Sequence, residues 1–275
     1  MQVVGYSDRL SVRPGETIRF MVSCLNDSYR ADIVRLIHGD TNPDGPGFKE
    51  QPIKTGVSRN YPGRLQRIRL GSHVIVEDTP VLQCAKGFTI AAWIYPTTPQ
   101  IGTQGVFTKW SRENGGYGLF VENGELSLWV SGKGKAPKKL TSGKKLRAKQ
   151  WYFVAASFDA QTGKARLWQT PLSNYALEDT GALAEGVLRD RPRESATPLV
   201  MAGHWGRDED GEETVLGHYN GKLENPRLYD RALTPDEVET LQHDAPASSF
   251  GGLVATWDFS HDPSSDAVVD ASPNR

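Results

Sequence analysis

Cysteine is scarce in this chain. Its 275 residues include two, Cys24 and Cys84, with no CxxC pair and no spacing of the zinc-module type. That excludes a disulfide framework as the source of stability. Both cysteines sit in apolar stretches and read as buried reduced thiols of a cytosolic protein, the other reading being a disulfide between them. Excess charge of one sign is also missing. Lys and Arg number 32 against 33 Asp and Glu, a net charge of −1, so neither nucleic acid nor an anionic membrane is predicted as a partner. No apolar run approaches the roughly 20 residues needed to cross a bilayer. Met1–Leu10 lacks the basic-then-apolar order of a signal peptide, which makes the cytoplasm the expected location. Several chemical signatures are lacking as well. No HExxH appears among the six histidines, no serine sits in a GxSxG elbow, and no GxGxxG or GxxxxGK[ST] opens a helix.

What is present is a rhythm. Hydrophobic residues make up 37% of the chain, enough for one large domain or for one with a smaller companion. Gly, Pro and Ser recur about every ten residues, and short runs with a two-residue apolar period lie between them, the pattern of a β sandwich or barrel. Ile18, Phe20, Val22 and Cys24 share one face, and Asp32–Ile37 is a second apolar run. Residues 40–61, rich in Gly, Pro, Asn and Lys, read as a long irregular connection. The main domain opens near Arg64. In Phe88–Tyr95 both alternating faces are apolar, which predicts a strand covered on both sides. Val106–Lys109, Tyr117–Val121, Leu126–Val130, Tyr152–Phe158, Ala165–Trp168, Leu199–Gly203 and Leu223–Tyr229 follow as strands, with Asn123-Gly124 as a two-residue hairpin signal.

One helix is predicted. Thr234 suits the N-cap, Pro235 the first turn and Glu237 the capping box, with Val238 and Leu241 facing inward together and an end near Gln242. Residues 244–252 resemble a linker, and Leu253–Phe259 and Ala267–Val269 look like new strands without later partners. The expectation is an N-terminal piece of a longer polypeptide, divided at 1–63, 64–243 and 244–275. The alternative is that the last strands fold back onto the main domain.

Four segments resemble the laminin-G-like, concanavalin A-like family: Phe88–Pro96, Gly116–Phe120, Trp151–Ala156 and Gly221–Val238, where a strand runs directly into the capped helix. The resemblance covers roughly residues 65–242. It implies an all-β antiparallel jelly-roll sandwich with a small N-terminal β segment and one short C-terminal helix. A narrower resemblance, to the N,N-dimethylformamidase large-subunit family, lies in Gly5–Asp8, Val12–Thr17, Tyr29–Asp40, Asn42–Gly47, Trp257–Phe259 and Asp270–Asn274. It implies a parent enzyme that hydrolyses small formamides at a mononuclear iron. The tyrosine and glutamate ligands of that iron belong to a C-terminal part, so no cofactor and no catalytic residue is carried over to this chain. The implied partners are the rest of the large-subunit chain, a small subunit and further copies.

The remaining features each admit a functional and a plain reading. In His38-Gly39-Asp40 the carboxylate could orient the imidazole, or Asp40 could bond local backbone in a turn, which is the reading adopted. Asp208–Glu213 is dense in oxygen ligands, and Asp208 and Asp210 are the weak calcium candidates. The cluster has no apolar residue between its acids, unlike the paired carboxylates on a glucanase strand, and so reads as a solvated loop. The lysines of 133–149 read as a charged hairpin tip or as a dock for an acidic partner. Trp93 and Trp151 fall at core positions, whereas Trp110 and Trp205, beside Gly-rich and charged loops, are the weak ligand-stacking candidates. Three functions stay in view: a non-catalytic accessory and assembly domain of a dimethylformamidase-like amidohydrolase, a carbohydrate- or ligand-binding lectin-like module, and a glycoside hydrolase for which the sequence offers no carboxylate pair.

Overall fold

The computed structural model describes residues 3–66, 71–173, 181–243, 245–261 and 265–274. Asp244, the expected start of a linker, and Arg275 lie outside them. The chain divides into two compact units, Met1–Leu70 and Gly71–Arg275.

The first unit consists of two-stranded antiparallel ribbons. Its strands are β1 (Val3–Ser7), β2 (Phe20–Cys24), β3 (Ser28–Ala31), β4 (Val34–Gly39), β5 (Phe48–Pro52) and β6 (Arg59–Pro62). They pair as β1 with β2, β3 with β6 and β4 with β5. The irregular connection expected over 40–61 therefore contains two strands. Both are polar and largely exposed, so they carry no apolar alternation. They are set by pairing and by turn chemistry instead: Asp40 Oδ1 accepts from the Asn42 N–H at 2.8 Å and starts the turn that returns to β5. Asp40 thus serves the backbone, and the neighbouring His38 is exposed.

The second unit is the antiparallel sandwich. Its strands are β7 (Val74–Val76), β8 (Gly87–Pro96), β9 (Thr103–Ser111), β10 (Gly115–Glu122), β11 (Glu125–Ser131), β12 (Lys138–Lys145), β13 (Tyr152–Asp159), β14 (Lys164–Pro171), β15 (Ala182–Val187), β16 (Leu199–Met201), β17 (His204–Arg207), β18 (Glu213–Leu216), β19 (Gly221–Tyr229) and β20 (Leu253–Thr256). One six-stranded sheet has the order β12-β11-β10-β9-β16-β7 and the other β15-β14-β13-β8-β19-β20.

Alternation puts Phe88, Ile90, Ala92 and Ile94 of β8 into the core between the sheets, with Tyr117, Leu119, Leu128, Val154 and Phe158. The opposite face of β8 is also covered. Ala91 packs with Phe153, Ala155 and Tyr229 under Leu233, Val238 and Leu241. The last two belong to α1 (Pro235–Gln242), whose N-terminus has the full capping box between Thr234 and Glu237. Asn123 and Gly124 both take positive φ, 51° and 85°, as the tight turn from β10 to β11 requires.

Two expectations are corrected here. The lysines of 133–149 do not form a free hairpin tip. Lys138–Lys145 is the edge strand β12, on which lysines discourage further pairing. Leu253–Thr256, expected to open a following module, instead pairs antiparallel with β19 and completes the second sheet. Residues 267–269 form no strand. The chain returns as an isolated bridge between Trp257 and Asp270. The Asp270 carboxylate accepts from the N–H groups of Thr256 and Ser272, the Ser272 hydroxyl donates to Val254 O, and the Asn274 amide donates to Leu253 O and Val254 O. These bonds occupy one edge of β20, giving the Asp270–Asn274 motif a structural task.

Candidate functional site

The outer face of the first sheet is aromatic. Trp110 of β9, Phe120 of β10 and Trp129 of β11 form a closed cluster. The Phe120 and Trp129 rings stack at 4.1 Å, and Trp110 meets Trp129 edge-on at 5.2 Å. Both indole N–H groups are satisfied, Trp110 donating to Ser131 Oγ and Trp129 to Ser127 Oγ, each at 3.0 Å. Gly118 makes the close packing feasible, because a Cβ there would stand 2.9 Å from the Phe120 ring. The ammonium of Lys139 lies 4.1 Å over Trp129 and pairs with Glu122 at 2.7 Å.

The β17–β18 hairpin closes over this cluster and brings the His204 ring to 5.6 Å from Trp110. Trp110 is 8% exposed, so it is not the open stacking surface that its flanking sequence suggested. Trp205 stands half-buried in β17. At the hairpin tip the Asp208 carboxylate accepts from the N–H groups of Asp210 and Glu212, while Arg207 pairs with Glu213 at 2.6 Å and donates to Gly211 O. Both bonds fall on Oδ1 of Asp208, which thereby fixes the turn. Among the described residues no group of three or more His, Cys, Asp or Glu is gathered to hold a metal ion.

Three arrangements had no local signature in the sequence. Lys109, 3% exposed at its side chain, donates to Asp78 at 2.7 Å and to the carbonyls of Ser195 and Thr197. Gln83 joins by donating to Asp78 and Ser195 O and accepting from the Ser195 N–H. This network ties β9 to the chain before and after it. Second, the Tyr117 hydroxyl donates to Leu82 O and lies 3.7 Å from Cys84 Sγ. Burial pushes the Cys84 thiol up to about 11. Third, His73 and His218 approach to 5.5 Å. Burial lowers the His218 pKa, and His73 and His204 lower it further. Burial lowers that of His204 as well.

A groove of about 510 Å³ runs between the edge strands β7 and β20, floored by Val74, Leu82, Val254 and Trp257 and rimmed by Glu77 and Asp270. Asp270 is already engaged with backbone N–H groups. Tyr117 and Tyr229 do not suit an iron either, since Tyr117 donates to Leu82 O and Tyr229 to Ala247 O at 2.8 Å each.

Residues 70–239 match the family described as the Concanavalin A-like lectin/glucanases superfamily. The chain is 36% identical over 292 residues to the N,N-dimethylformamidase beta subunit of Paracoccus aminophilus, a match spanning all of this chain and 38% of that protein. It is 35% identical to the N,N-dimethylformamidase beta subunit of an Alcaligenes species, over 98% of this chain and 38% of that protein. A Bacteroides ovatus structure provisionally described as carbohydrate-binding superposes with a TM-score of 0.50 at 15% identity, over 98% of this chain and 64% of that one. The chain thus spans well under half the length of the two dimethylformamidase subunits, and its likeness to the Bacteroides protein is one of fold.

Proposed function

The chain belongs to the concanavalin A-like lectin/glucanases superfamily, and we propose that it uses this fold as a non-catalytic assembly portion of an N,N-dimethylformamidase-like large subunit. The observation that carries this reading is the state of the first unit. Among its described residues Cys24 alone is buried, while Tyr6, Leu10, Phe20, Leu25, Leu36 and Phe48 are each more than half exposed. Ribbons of two strands without a core are at best marginal alone, and contiguous exposed apolar surface marks an interaction face. The remainder of the large subunit is the partner that fits, because the match to the beta subunits spans these ribbons as well as the sandwich.

The second unit supports the same reading. Several of its charged side chains are engaged in holding the fold: Lys109 with Asp78, Asp208 with its turn, Asp270 with β20, and Arg231 with Glu237. Formamide hydrolysis, the iron and any small subunit are assigned to the parent enzyme outside this chain. A cytoplasmic setting fits the two free, buried cysteines, and among the described residues no helix is long and apolar enough to cross a membrane. The test is to assay the 275-residue chain for formate release from N,N-dimethylformamide. No turnover is expected, and measurable hydrolysis that survives repurification would refute the assignment.

A further inference from the structure

Two imidazoles meet where the segment leading into β7 passes the turn that follows β18. The rings of His73 and His218 have their centroids 5.5 Å apart, inclined at 47°. His73 Nδ1 and His218 Nε2 are both buried and both lack a hydrogen-bond partner. An unsatisfied buried polar atom is costly, and here two lie on rings that are in contact.

The approach is built into the backbone. Gly71 takes φ +93°, and a Cβ on it would stand 2.4 Å from Cδ2 and 3.0 Å from Nε2 of His218, so a glycine lets this segment reach the ring. On the other side, a bridge to Gly105 and the bond from Gly105 N to Gly217 O at 2.8 Å hold the backbone of His218. Burial first, and then the two histidine neighbours, lower the His218 pKa, which favours the neutral ring that binds metals.

One occupant satisfies both lone pairs at once. An ion bound at the usual 2.0–2.1 Å from a ring nitrogen sits about 3.2 Å from the ring centre. With both nitrogens turned to one ion, rings 5.5 Å apart would subtend about 120° there, close to tetrahedral and trigonal values. Imidazole ligands select zinc, copper and nickel over magnesium and calcium. We propose that His73 and His218 form a two-imidazole site for a divalent transition-metal ion of the zinc–copper–nickel class. No third His, Cys, Asp or Glu completes the set among the described residues, so water fills the other positions and the ion exchanges more readily than a structural zinc. His73 also lines the groove between β7 and β20, which gives the open positions a route to solvent.

The test is calorimetric titration of the chelator-treated 275-residue chain with zinc, together with pulsed electron paramagnetic resonance of its copper-loaded form. One zinc equivalent per chain and the signature of two coordinated imidazoles are expected. His73→Gln and His218→Gln should each weaken zinc binding at least tenfold, while His38→Gln and His243→Gln leave it unchanged. If a variant does not fold, zinc protection of each histidine from diethyl pyrocarbonate in the unaltered chain reads the same site, and it should fall on His73 and His218 together. Absence of a zinc equivalent, loss on changing only one of the two histidines, protection of other histidines, or equal binding of magnesium would each overturn the proposal.

Discussion

Lys109 and Asp78 form an ion pair of 2.7 Å in which the lysine side chain is almost wholly withdrawn from water. The ammonium uses its other donors on Ser195 O and Thr197 O, so the charge is compensated on all sides. Removing one partner of such a pair strands the other and costs about 3–5 kcal/mol. Lys109→Ala is expected to lose about 3 kcal/mol in urea unfolding, since Asp78 retains some access to water. A loss under about 1 kcal/mol would show that the pair does not hold the strand.

Trp110 packs edge-on against Trp129 and beneath His204. Replacing a buried tryptophan with alanine costs about 3–5 kcal/mol, and that is the expected effect of Trp110→Ala on unfolding free energy. Trp205→Ala, at a half-buried position, should cost less. Neither change should alter retention on a glycan array. Binding of a sugar that disappears with Trp205→Ala would restore the lectin reading.

His204 and His218 have pKa values below their ordinary 6.5. The unfolded chain therefore takes up protons near 6.5 before the folded chain does. Stability tied to these rings is complete above that value and falls as pH is lowered through the folded values. Urea midpoints are expected to drop between neutral pH and about pH 5, and the drop should be shallower in His218→Gln. A rise in stability over this range would contradict the sign.

Cys84 is buried and its thiol is raised to about 11. Because the thiolate is the reactive species, a thiol reagent at pH 8 is expected to leave Cys84 unlabelled in the native chain and to label both cysteines in denaturant. Rapid native labelling at Cys84, or none in denaturant, would count against buried free thiols.

Much of the sandwich is legible in local patterns because each is enforced by local physics. Two apolar faces in Phe88–Tyr95 announce the strand buried between the core and α1. Asn123-Gly124 announces its turn through positive φ, and Thr234 with Glu237 announces the helix start. The exposed strands were not legible. Phe48–Pro52 and Lys138–Lys145 are defined by pairing, and solvent leaves their sequences free of alternation. The sites were harder still. Trp110 is buried by a hairpin far along the chain, and His73 meets His218 only through the closure of the whole sandwich.

The most direct test of the assembly role is hydroxyl-radical footprinting of Tyr6, Phe20 and Phe48. Labelling is compared between the 275-residue chain alone and the same chain joined to the remainder of a dimethylformamidase-like large subunit. These rings, each more than half exposed in the chain by itself, are expected to become protected in the longer protein. Equal labelling in the two forms would contradict the account.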